Sequence, residues 1–244
     1  MIELPEILEG EDSSVLLIAD HASNRVPPDI DLEIPCDLLA KHIAWDIGTE
    51  RLTRLLAKRL AAPAVIAVVS RLVIDLHRDP AHVGLVPVAS DGYPIPGNVA
   101  SDIPPRIARF HVPHHAAIDA MRQRNRPVLI AALHSFTPSL ESKPSLRPWE
   151  VGLLYNRDDR AARIAIEWLT ERGHVVGDNQ PYSGRLLNAT QDRHAEAHDI
   201  PYLTIEVRND LIANDDGVVW WAGILADMID HVRNRVAPMA PPAT

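Results

Sequence analysis

A single cysteine, Cys36, stands in 244 residues. That excludes a disulfide framework within the chain and fits a reducing compartment. Long apolar runs are missing too: none approaches the roughly 20 residues needed to span a bilayer. The opening MIELPEILEGED has no basic stretch leading into an apolar one, so no secretory signal is expected. Positive charge is also scarce, with 24 Lys and Arg against 33 Asp and Glu and a net charge of −9. A nucleic-acid binder would show a basic face. The expectation is a cytoplasmic protein without membrane or nucleic-acid partners.

What is present is a soluble, globular composition, 46% apolar and 23% charged. The length supports one large core or two small ones. No linker and no internal repeat divides the chain. A single domain over residues 1–236 with a flexible tail, 237–244, is the simplest organisation.

Strand-like and helix-like segments alternate. Ser14–Asp20, Pro63–Ser70, Pro127–His134, Trp149–Tyr155 and Pro201–Val207 read as strands, and a short one begins at His174–Val176. Arg71–Leu76 reads as an extension of the second. Helices are expected at Trp45–Leu60, Pro113–Arg124, Asp158–Arg172 and Gly217–Val236. Asp79–Pro105 and Thr137–Arg147 read as loops, and long loops in compact domains tend to carry function. Alternation of this kind predicts an α/β fold with a mainly parallel or mixed central sheet flanked by helices.

Two of the apolar runs end in histidine. Val15–Asp20 leads into His21, and Val128–Leu133 leads into His134. In open α/β sheets, ligands bind beyond the carboxyl ends of the strands. The two imidazoles are therefore expected at one sheet edge, two ligands of a metal site that needs a third. Asp46 and Asn24 are the candidates. An amide oxygen is the poorer zinc ligand, while Asp46 reads equally well as an N-cap for the helix that follows.

Other polar residues cluster at strand ends. Arg71, Asp75, His77, Arg78 and Asp79 crowd one of them, and on an extended strand Asp75, His77 and Asp79 share a face. Arg is the residue for bidentate carboxylate recognition. Glu206 lies in a strand that otherwise reads as buried, so it must be paired, metal-bound or functional. Of the remaining histidines among the chain's 12, His111, His114 and His115 are read as solvent-facing or structural, and His194 as a surface residue. Trp220 and Trp221 are assigned to core and partner surface. Cys36 has no neighbouring base that would make it a nucleophile.

Together these segments resemble the N-formylglutamate amidohydrolase family. The resemblance rests on DHASNRVP (20–27), HIAWDIG (42–48), SRLVIDLHRDP (70–80), IPGN (95–98), HSFTP (134–138), RPWEVGLLYN (147–156), NQPYSG (179–184) and IEVRNDLI (205–212). It implies a zinc carboxypeptidase-like (phosphorylase/hydrolase-like) fold, related also to aspartoacylase. It further implies hydrolysis of an N-acyl amino acid at a Zn2+ site, most naturally N-formyl-L-glutamate. The alternatives are a zinc hydrolase for another N-acyl amino acid or a short peptide, and a catalytically silent ligand-binding relative.

In the order of parts that the wider group shares, the chain has His21-x-x-Asn24, Arg71, His77-Arg78, His134 and Glu206. The implied roles are metal ligation by His21, His134 and Asp46 or Asn24, and general-base catalysis by Glu206. Arg71 would stabilise the oxyanion, and Arg78, His77 and Arg208 would bind substrate. Asn24 stands where that group has Glu, and His77 where Asn usually precedes the substrate-binding Arg.

Overall fold

Apolar runs buried on both faces form the centre of the molecule. The computed structural model describes residues 2–236, and the expected tail at 237–244 lies outside the described residues. The first half contains β1 (Glu6–Leu8), β2 (Val15–Ala19), α1 (Thr49–Leu60), β3 (Ala64–Ile66) and a two-stranded ribbon of β4 (Ala89–Ser90) and β5 (Tyr93–Pro94). A continuous helical stretch follows. It begins as α2 (Ile103–Arg106), passes through a π-helical turn at Ile107–His111, and continues as α3 (Val112–Asn125). The second half contains β6 (Leu129–Phe136), β7 (Val151–Leu154), α4 (Arg160–Glu171), β8 (Val176–Asp178), α5 (Ala189–His194), β9 (Tyr202–Arg208) and α6 (Asp215–Val236).

Among the described residues, seven strands build one mixed sheet in the order β1-β3-β2-β6-β9-β7-β8. The pairs β3–β2, β2–β6, β6–β9 and β7–β8 are parallel, whereas β1 and β7 run antiparallel to their neighbours β3 and β9. Every residue of β2 and β6 is buried. Two-sided burial of this kind explains why their sequences are nearly continuous apolar runs. Helices α1, α4 and α6 pack together on the sheet, and α3 packs on β2, β3 and α5. In α1, Leu52, Leu56 and Leu60 face inward while Glu50, Arg51, Arg54 and Lys58 face outward, an amphipathic stripe at helical spacing.

Several boundaries differ from the expectation, each with a local cause. The second expected strand is confined to Ala64–Ile66, and Arg71–Leu76 does not extend it. After Ala67, whose N–H still bonds the Ala19 carbonyl, the chain turns at Ser70. The Ser70 hydroxyl donates to the Ala44 carbonyl and accepts from the Leu72 N–H, and the Ser70 carbonyl accepts from the Val73 N–H. No strand face is left for Asp75, His77 and Asp79 to share. The expected loop through Pro105 ends early because α2 begins at Ile103. Strand β1 gave no signal in its short sequence.

The helix expected from Trp45 starts instead at Thr49, with Gly48 as its N-cap in the left-handed region at φ 88°. A Cβ at Gly48 would lie 2.4 Å from the Ile212 carbonyl oxygen. Gly48→Ala therefore combines a disfavoured φ with a backbone clash. It is expected to destabilise the protein by more than about 1 kcal/mol, a fall in Tm of about 3 °C or more at this size. Thermal unfolding of the variant measures this, and an unchanged Tm would refute it.

Candidate active site

Asp46 is the hub of a buried polar cluster at the carboxyl edge of the sheet. Its N–H donates to the His21 carbonyl at 2.9 Å, tying the two residues together through the backbone. Its carbonyl accepts from the Thr49 N–H and hydroxyl and so opens α1. The helix is thus served by the Asp46 backbone. The side chain, read as a possible N-cap, is free to face the histidines.

His21 follows the end of β2, and His134 sits within β6 in register with Glu206 of β9. Asp46 Oδ2 lies 2.9 Å from His134 Nδ1 and 3.4 Å from His21 Nδ1. His21, Asp46 and His134, all buried, form a set able to hold a metal ion. The spacing fits one: ligand atoms about 2.0–2.2 Å from a tetrahedral ion lie roughly 3.3 Å apart. His21 Nδ1 has no hydrogen-bond partner, although it is buried. A second set, Asp20, His77 and His134, shares one residue with the first. There both Asp20 oxygens are already engaged, by His77 Nδ1 at 2.9 Å and by His114 Nε2 at 2.7 Å. The first set is the better fit, because His21, Asp46 and His134 all line the cavity described below.

Supporting groups hold these side chains in place. His21 Nε2 is 2.7 Å from Asp75 Oδ1, the carboxylate-behind-imidazole arrangement that fixes a metal-binding tautomer. Arg71 bridges Asp46 and Asp75 at 3.1 and 3.0 Å. Burial alone would raise the Asp46 carboxyl, but the His21 charge, the bond from His134 and Arg71 hold it well below the usual range. Asp75 is held low in the same way by His21 and Arg71. Burial and Arg71 push His21 down, but Asp75 and Asp46 outweigh them and raise it to about 9. His134 is lowered, chiefly by burial.

The sign of the His21 effect is testable. In metal-free protein its ion pairs contribute stability that is complete below its ordinary value of 6.5 and lost as pH rises through about 9. The Tm of metal-free protein is expected to fall between pH 6.5 and 9, and His21→Asn is expected to flatten that slope. A series of melts across this range checks both.

These residues open onto a cavity of about 320 Å³ that His77, Arg78, Phe136, Leu154, Tyr182 and Glu206 also line. Glu206 is buried, and its Oε2 has no partner. Burial first, and then the Asp46 charge, push its carboxyl above the ordinary range. His77 joins the cavity with its Nδ1 committed to Asp20 and Thr190, at 2.9 and 3.0 Å. The nearest carboxylate to the Arg78 guanidinium is Asp75, 3.5 Å from its Nε.

Two expected site residues lie elsewhere. Asn24 is exposed, its amide donates to the Leu39 carbonyl at 2.9 Å, and it does not line the cavity. Arg208 turns away at the end of β9 toward Asp210 and the carbonyls of Pro148 and Trp149. His114, His115 and His194 are buried rather than facing solvent, as is His111. Trp221 is in the core and Trp220 is exposed.

Some contributors were not singled out from sequence. Arg147 is buried, donates to the Tyr182 hydroxyl at 3.1 Å and lies over that ring. Asp20 supports His77, and its signal was adjacency to His21; Asp75, noted in the strand-end cluster, supports His21 instead of sharing a strand face with His77.

The family profile of N-formylglutamate amidohydrolase matches residues 13–213. No curated protein matches the sequence. Among solved structures, the gene product Atu2144 from Agrobacterium tumefaciens is 30% identical with a TM-score of 0.91, covering 97% of each chain. An N-formylglutamate amidohydrolase from Ralstonia eutropha JMP134 is 20% identical with a TM-score of 0.71. That match covers 96% of this chain and 98% of the other, a likeness of fold.

Proposed function

This chain belongs to the N-formylglutamate amidohydrolase family, and from that premise we propose that it hydrolyses the amide bond of an N-acyl amino acid, foremost N-formyl-L-glutamate. We assign the cofactor as a divalent transition metal, zinc in the first instance, held by His21, Asp46 and His134. One observation carries the reading. Glu206 keeps a buried, unpartnered Oε2 in the same cavity as that ligand set and Arg78. An unpaired buried carboxylate is costly, and such groups cluster where chemistry is done.

When bound, the metal supplies Lewis-acid polarisation of the acyl carbonyl and lowers the pKa of water beside it. Glu206 takes a proton from the attacking water at Oε2. It returns the proton to the leaving amine nitrogen as the C–N bond breaks, releasing formate and glutamate. Arg71, anchored by Asp46 and Asp75, has further N–H groups to meet the oxygen on which negative charge develops. The Arg78 guanidinium clamps the α-carboxylate. His77, held from behind by Asp20 and Thr190, stands beside that clamp.

The test is a panel of N-formyl and N-acetyl amino acids and short peptides, assayed with metal-stripped and zinc-reloaded protein. N-formylglutamate is expected to show the highest kcat/KM, and stripping is expected to abolish it. A preference for another substrate would move the assignment within the hydrolases. No turnover of any substrate after reloading would refute it in favour of a silent relative.

A further inference from the structure

A buried cation beside the cavity has no counter-charge. Arg147 is only 8% exposed. Its backbone N–H closes the Thr137–Arg147 loop onto the Pro138 carbonyl at 3.1 Å. Its Nη1 donates to the Thr137 carbonyl at 3.2 Å and to the Tyr182 hydroxyl at 3.1 Å. The guanidinium lies over the Tyr182 ring, 5.0 Å from its centre. Among the described residues no carboxylate pairs with Arg147, and its Nε and Nη2 meet no acceptor. A charge taken out of water without a partner is costly. The other cationic groups of the cavity wall are occupied. Arg71 is committed to Asp46 and Asp75, and His42 Nε2 to Asp91 at 2.9 Å.

Tyr182 connects this cation with the cavity, which Tyr182 and Thr137 both line. Its hydroxyl oxygen accepts from Arg147, so its own proton is left to donate. No acceptor among the described residues takes that proton. Burial first, and then the Glu206 charge, raise the Tyr182 hydroxyl against the pull of Arg147, so the O–H is intact near neutral pH. An O–H donor with a guanidinium behind it suits an anion. Phe136, Leu154 and Leu187 line the same cavity and offer an apolar wall to methylene groups.

An acidic N-acyl amino acid brings two carboxylates, and Arg78 serves the one on the α-carbon. Resting on the reading of this chain as an N-acyl amino acid hydrolase, we propose that Tyr182, backed by Arg147, receives the side-chain carboxylate of the substrate and so selects acidic substrates over neutral ones. Tyr182 touches the substrate. Arg147 is a positioning residue: it turns the Tyr182 proton toward the cavity and supplies the positive charge behind it. The substrate carboxylate in turn supplies the counter-charge that Arg147 lacks.

Kinetics on zinc-reloaded protein with N-formylglutamate and its neutral isostere N-formylglutamine test the proposal. Wild type is expected to favour the acid by about 10²-fold in kcat/KM, in the range of one buried charged contact. Y182F is expected to cut that ratio by about tenfold or more, through KM for the acid rather than kcat. R147M is expected to abolish the preference. R147K, which keeps the charge but not the planar fork, is expected to hold an intermediate ratio. The ratio does not depend on how much of a sample is folded, and Y182F, which removes one oxygen, supplies the comparison if R147M does not fold. Calorimetric binding of the same two ligands reads the ratio where turnover is absent, so failure of the hydrolase reading is distinguished from failure of the subsite. No preference in wild type, a preference kept in full by Y182F and R147M, or a fall in kcat equal for both substrates would overturn the proposal.

Discussion

Replacement of Glu206 by Gln is expected to lower kcat on N-formylglutamate by about 10²–10⁴-fold, the usual contribution of a positioned acid–base group. The change keeps the shape of the side chain and removes only its ability to accept a proton. Binding groups such as Arg78 are untouched, so KM should move little, the pattern expected when an interaction made only in the transition state is lost. Zinc content should match wild type, because Glu206 is not in the His21–Asp46–His134 set. Stability should hold or rise, since burial disfavours the ionised carboxylate. Steady-state kinetics with metal analysis on the same sample decides it. Wild-type turnover would remove Glu206 from the mechanism, and loss of metal would recast it as a ligand.

The second large effect is expected at Asp46. Asp46→Asn preserves volume but leaves His21, His134 and Arg71 without their shared carboxylate. Breaking a buried ion pair from one side costs about 3–5 kcal/mol, so the Tm should fall by on the order of 10 °C. Metal affinity should drop beyond the roughly 10–100-fold that loss of a supporting partner costs, and turnover should fall below detection. Calorimetric zinc titration and thermal unfolding separate the two consequences. A variant that binds zinc as wild type does would exclude Asp46 as a ligand.

The sequence revealed most where physics acts locally. β2, β6 and β9 were legible because burial on both faces demands apolar residues in succession, and α1 because its inward leucines recur at helical spacing. Glu206 stood out as a charge within such a run. The region from Ser70 to Asn98 was opaque because its backbone is held by side chains and distant carbonyls. Asn98, for example, donates to the carbonyls of Leu72 and Pro87, and Arg106 to that of Val73. No periodicity encodes such bonds.

The site divided along the same line. His21 and His134 followed from strand ends, whereas Asp75 pairs with His21 across 54 residues and Asp20 with His77 across 57. Arg208 shares strand parity with Glu206, but β9 ends at that residue and its side chain turns to the Pro148–Trp149 carbonyls. Of the two readings left open for His111, His114 and His115, solvent-facing or structural, the buried one holds, and nothing in His111–His115 announces Arg78, Asp20 or Leu76 as their partners.

Chemistry at one edge of the sheet leaves the other edge free for engineering. The chain enters β3, β6 and β9 through Ala61–Pro63, Arg126–Val128 and Asp199–Pro201, and Ala61, Arg126 and Asp199 all adopt left-handed backbone at exposed turns. These turns lie a full strand length from the catalytic edge. Exposed turn tips are where chains best accept insertions. A reporter domain or an immobilising linker placed after Arg126 or Asp199 should therefore leave the cavity accessible, with the substrate-facing edge turned away from the support.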